Sequence, residues 1–214
     1  MDTSAHVNTV RRTVGTKTIE AGEAHVVTLS RSYPTDAADL WDACTNSERL
    51  PRWFAPVHGE LRLGGTYQVE GNASGTVLTC DPPRSFTATW EFGGGVSWIE
   101  LQITDEGPEG ARMTLDHIAT VGDEMWPRYG PGAVGVGWDL SLLGLAIYLE
   151  TGAPVPAEFK EDEWATTGAG RDFIRDAGEG WYAAQLDSGE DAAAARRAAD
   201  NTIAFYRGEA PPNN

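Results

Sequence analysis

His117 is the residue in this chain with the widest chemical reach. It lies in an alternating segment, Ala111 to Thr120, on the side that also carries Met113 and Leu115. A histidine on an apolar face is most often bonded to a neighbouring backbone or hydroxyl group. Its titration near neutral pH also suits acid–base work or a hydrogen bond to a ligand. Tyr67, Asp116 and Glu100 are weaker candidates of the same kind. The four histidines His6, His25, His58 and His117 fall in separate segments, and Cys44 and Cys80 have no histidine beside them. That pattern predicts no metal site. No Gly-x-Ser-x-Gly elbow occurs. Gly93 to Gly95 lacks the Lys-Ser/Thr that would make a phosphate loop, so a hairpin turn is expected there. No residue is assigned as catalytic, and no cofactor is expected.

These side chains need elements to position them. His25 to Ser32 alternates as a strand, and Pro34 to Asp36 opens a helix that Thr35 or Asp36 can cap. Thr45 or Asn46 is expected to start a second short helix ending at Trp53 and Phe54. Strands then follow at about 57–63, 66–70, 75–80, 84–92, 96–104 and 111–120, joined by turns such as Gly64-Gly65 and Asp81 to Pro83. Phe86, Ala88, Trp90 and Phe92 share one face, as do Ile99, Leu101 and Ile103; Trp98 and Glu100 point the other way. Short turns between consecutive strands imply an antiparallel meander.

Residues 133–150 read as a long helix, with Val134, Trp138, Leu142, Leu145 and Leu149 at helical spacing. Gly135, Gly137 and Gly144 weaken it intrinsically and are read as packing glycines that let the sheet approach. After a linker at 152–157, helices are expected at 158–166, 170–188 and 191–206. Glu161 to Glu163 reads as a solvated helix start. Phe159, Trp164, Phe173, Ile174, Trp181 and Tyr182 are too apolar for a disordered tail, so the tail must pack on its own domain or on a second copy.

The balance of 32 acidic against 16 basic residues gives a net charge of −16, which argues against nucleic-acid partners and anionic membranes. The longest apolar run, Leu140 to Leu149, is about half a membrane span. Met1 to His6 has no signal-peptide character, and two cysteines are too few for a secreted disulfide framework. A cytoplasmic location is the expectation.

Several short signatures recur in a fixed order: Trp41 through Phe54, Leu63 through Tyr67, Cys80 through Phe86, Thr89 through Glu91, Thr114 through His117, and Gly137-Trp138. Together they resemble the SRPBCC superfamily of START-like, helix-grip domains, and within it the AHSA-type branch named after the activator of the heat-shock-protein ATPase. The resemblance implies an α+β fold in which a curved antiparallel sheet wraps around a long helix, here with a C-terminal helical extension. It divides the chain into an N-terminal segment at 1–22, partly flexible, the START-like domain at 23–151 and the extension at 152–210. It also implies an apolar cavity between sheet and helix. Trp53, Phe54, Trp90 and Trp138 match positions that border such cavities, and Tyr67, Phe86, Leu115 and His117 complete the candidate ligand-binding set.

The expected function is binding of a small apolar or aromatic ligand. One alternative is an enzyme of the polyketide cyclase/aromatase type, with His117 or Tyr67 steering a proton. Another is a co-chaperone-like protein-interaction module. A homodimer is an even expectation.

Overall fold

The computed structural model describes residues 3–122, 125–156, 159 and 162–212. After a short helix α1 (Thr3–Asn8) come strands β1 (Arg11–Ile19) and β2 (Gly22–Tyr33), then helices α2 (Ala37–Thr45) and α3 (Leu50–Trp53). Six strands follow in sequence: β3 (Val57–Gly59), β4 (Thr66–Val69), β5 (Ser74–Asp81), β6 (Ser85–Phe92), β7 (Gly95–Asp105) and β8 (Ala111–Thr120). The chain ends in helices α4 (Met125–Tyr129), α5 (Gly132–Thr151), α6 (Asp162–Thr166), α7 (Gly168–Asp187) and α8 (Ala192–Tyr206). The strand order is β1-β2-β8-β7-β6-β5-β4-β3, and β3 through β8 pair as the expected antiparallel meander. This is the α+β architecture anticipated from the chain: antiparallel sheet, long helix and C-terminal helices.

Local chemistry explains most boundaries. Asp36 caps α2 by accepting the Asp39 amide at 2.8 Å. Gly93 and Gly94, both at positive φ, close the β6–β7 hairpin, where Phe92 faces Gly95. One start was misplaced: α3 begins at Leu50, not near Asn46. The Asn46 carbonyl accepts the amides of Arg49 and Leu50 and its side chain takes the Glu48 amide, so this residue makes a turn of its own. The segment before residue 22 holds a helix as well as a strand at the sheet's edge. Ala157, Glu158 and Glu161, read as the linker's end and the tail's first turns, lie outside the described residues. By length and composition α5 could cross a membrane, a longer apolar element than Leu140 to Leu149 suggested, and most of it is buried inside the protein.

The chain divides into two compact units, and β2 and α5 contribute to both. One unit comprises Met1–Leu29, Thr120–Leu143 and Pro156–Asn214. Here α7 packs on β1 and α1, and α8 packs on α4. Its centre is Asp139 of α5, 1% exposed. Arg12 of β1 donates to this carboxylate from Nε at 3.1 Å and Nη2 at 2.7 Å, and Trp181 of α7 donates from Nε1 at 2.9 Å. Burial pushes the Asp139 carboxyl up while Arg12 and Trp181 pull it back down.

The glycines of α5 work differently from the sequence reading. A side chain at Gly135 would sit 2.3 Å from the Trp181 indole, and one at Gly137 3.0 Å from the Tyr206 hydroxyl. That hydroxyl accepts the Gly137 amide at 3.1 Å and donates to the Ala133 carbonyl at 2.9 Å, two groups that are i→i−4 partners in an α-helix. At Gly144 the close neighbour is the Trp53 carbonyl. The approach these glycines permit is therefore by the tail helices and α3, whose side chains and backbone meet α5 where it has no Cβ.

Candidate functional site

The other unit, Ser30–Ala119 with Gly144–Val155, contains seven of the eight candidate ligand-binding residues. Trp138 is the exception, since it lies on the part of α5 assigned to the first unit.

The pairing register assigns faces within the sheet. Residues directly opposite in neighbouring strands project to the same side. Phe86 faces Leu101, which faces Leu115; Ala88 faces Ile99, which faces His117; Trp90 faces Ser97. Phe86, Leu115, His117 and Trp90 thus occupy three successive rows of one face, the arrangement expected from alternation. Tyr67 lies on the same face beyond Gly75, its partner on β5. Thr89, Trp98, Glu100 and Asp116 belong to the opposite face.

Helix α2 covers the low end of the inner face. Cys44 Sγ lies 3.7 Å from Met113 Sδ, and the Trp41 ring meets Phe86 edge-on at 6.2 Å. Burial among these groups pushes the Cys44 thiol up to about 12, so it stays protonated and behaves as a small apolar group. Trp53 of α3 is buried and donates from Nε1 to the Ala43 carbonyl at 3.0 Å, with the Phe54 ring 5.6 Å away. The pair therefore forms the corner between α2 and α3. Arg49 braces this corner against α5. It donates to the Tyr148 hydroxyl at 2.9 Å and to Asp39 and Asp42 at 2.8 and 2.9 Å, and these acceptors hold its guanidinium charged.

His117 is 4% exposed, and burial pushes its pKa down to about 4. The imidazole is accordingly neutral at physiological pH. Its ring stands edge-on to Trp90 with centroids 6.3 Å apart. Tyr67 is different. Its ring covers Gly75, where a Cβ would come within 2.8 Å of it, and its hydroxyl donates to the Thr89 carbonyl at 2.5 Å. Burial pushes that phenol up to about 12. Tyr67 is a clamp across β4, β5 and β6, poorly set for proton transfer.

Arg31 was not singled out from the sequence. It is 6% exposed, with its guanidinium 5.1 Å from the Tyr33 ring centroid. The Ser30 and Thr114 hydroxyls lie 3.4 Å apart on the outer face, so alternation puts Arg31 on the inner one beside Met113. The alternation of Leu29, Arg31 and Tyr33 along β2 was the available signal. Among the described residues no group of three or more His, Cys, Asp or Glu side chains could hold a metal ion.

The family model for activator of Hsp90 ATPase homolog 1-like protein matches residues 34–150. The crystal structure of CalU16 from Micromonospora echinospora is 36% identical over 67% of this chain and 87% of CalU16, with a TM-score of 0.59. Its solution NMR structure is 31% identical over 84% and 96%, with a TM-score of 0.68. DynU16, from the dynemicin biosynthetic locus, shares the fold at 24% identity and a TM-score of 0.54; the match covers 60% of this chain and 48% of DynU16. No curated protein matches the chain. With more than half its length inside the family model and CalU16 matched along nearly its whole length, the chain belongs to the AHSA-type family of activator of Hsp90 ATPase homolog 1-like proteins, within the SRPBCC superfamily.

Proposed function

We propose that the inner face of the sheet binds a small apolar or aromatic molecule. The observation that carries this reading is the succession Phe86, Ala88 and Trp90 along β6, level with Leu115 and His117 on β8. It sets two aromatic side chains on either side of a small one, opposite a neutral polar ring. Aromatic walls of this kind offer flat apolar area, and a single convergent polar group sets orientation. Bonds from Arg49 to Tyr148 and from Trp53 to Ala43 tie α2, α3 and α5 together, which supports a site that needs little rearrangement to bind.

Native mass spectrometry of the protein from its own host tests this directly. A small molecule should leave the 23.0 kDa chain on denaturation, and Trp90→Ala should lose it. Absence of any such adduct, together with no tryptophan quenching by a panel of small aromatics, would count against binding.

For the alternative reading, a polyketide cyclase/aromatase activity, the Tyr67 hydroxyl's bond to the Thr89 carbonyl favours His117 over Tyr67 as the group that steers a proton. Turnover abolished in His117→Gln with ligand binding retained would favour that reading.

A further inference from the structure

The two edges of the sheet are unlike. At one end stands β3, three residues long and too short to template another strand. At the other stands β1, nine residues without a proline, or roughly 30 Å of strand. Among the described residues no strand lies beyond β1. Helix α7 packs on one face of it, where the Arg12 guanidinium lies 3.0 Å from the place of a Cβ on Gly180. The centre of the strand is open: Gly15 and Thr16 are both exposed, and a Cβ on Gly15 would meet nothing within 4 Å. An edge of this length and openness presents a row of backbone donors and acceptors to another chain.

Charge selects the partner and its direction. Arg11 opens β1, and Glu20 stands in the turn that closes it, both exposed. Among the described residues neither forms an ion pair. Opposite charges at the two ends favour an antiparallel copy of the same strand, since a parallel copy would set like charges together. Cations on an edge often deter pairing. An antiparallel neighbour centred on Gly15 avoids that: Lys17 falls opposite the partner's Thr13, and Arg11 falls opposite the partner's Ile19, adjoining the partner's Glu20. Such pairing is isologous, so each contact occurs twice.

We propose that β1 is a dimer interface, on which two copies of this chain pair antiparallel, edge to edge, with Arg11 of each against the partner's Glu20.

Sedimentation equilibrium of the full chain at pH 7.5 tests this, with Arg11→Glu, Glu20→Arg and an equimolar mixture of the two variants. The wild type should sediment at twice 23.0 kDa. Each variant alone places like charges together at both ends and should dimerise about tenfold more weakly or worse. In the mixture every such contact joins opposite charges again, so dimers should return. Both positions are exposed, and unchanged circular dichroism and thermal unfolding of a diluted, monomeric sample would confirm that each variant is folded. A wild type that stays monomeric up to the highest concentration would overturn the proposal. A dimer indifferent to both reversals would do so too, by placing the interface elsewhere. Weakened variants that fail to rescue each other would overturn the antiparallel pairing.

Discussion

Acid should destabilise this protein through His117 in a window that the structure specifies. An ordinary histidine takes up its proton near pH 6.5, whereas burial holds His117 down to about 4. Between those values the unfolded chain binds a proton that the folded chain refuses. The contribution is therefore fully present above about pH 6.5 and is lost as pH falls toward 4, below which the loss levels off. The gap corresponds to roughly 3 kcal/mol at 1.36 kcal/mol per pH unit. Replacing His117 with phenylalanine removes the titrating group and leaves the surface carboxylates alone. Urea unfolding of both proteins at pH 7.5, 6.5, 5.5 and 4.5 isolates the effect, since carboxylate contributions are common to the two. The wild type should lose about 3 kcal/mol more than the variant across the series. The His117 imidazole proton should titrate near pH 4 by NMR. Parallel stability curves, or an NMR midpoint near 6.5, would show that the imidazole is hydrated and that the burial argument is wrong.

Three further outcomes follow from the first unit. Asp139→Ala strands the Arg12 guanidinium and the Trp181 N–H in the interior, so unfolding free energy measured in urea should fall by about 3–5 kcal/mol; a loss under about 1 kcal/mol would mean that water reaches the pair. Gly135→Ala forces a methyl to within 2.3 Å of the Trp181 indole and should cost about 1–3 kcal/mol, whereas Gly168→Ala, with nothing within 4 Å, should be near neutral in the same calorimetric comparison. Deleting residues 158–214 removes the buried Phe173, Ile174 and Trp181 and uncovers their partners, so solubility and thermal midpoint should drop together; a truncated protein equally soluble and heat-resistant would make the tail a mere appendage.

Much of the candidate site was legible without a structure. Phe86, Trp90, Leu115 and His117 fall on one face because side chains in a strand alternate strictly, and a one-residue slip would have turned every one of them outward. The Gly93-Gly94 turn sets the β6–β7 register by its own backbone requirement. The α2 cap and the span of α5 are equally local properties. Where sequence reasoning slipped, two local options competed, as at Asn46, whose groups serve a turn instead of opening α3.

Long-range partners were decided only by the tertiary structure. Arg12 and Asp139 stand 127 residues apart, and no periodicity links them. Gly135 and Gly137 announce that something approaches α5, but whether it is sheet or tail depends on which surfaces the folded chain brings together. Tyr67 ranks below His117 on sequence alone, but only the packed chain shows how they differ: one reaches a carbonyl across two strands and the other stands buried beside Trp90. Secondary structure follows from the chemistry of residues a few positions apart. The state of a buried polar group follows from neighbours that only the packed chain supplies.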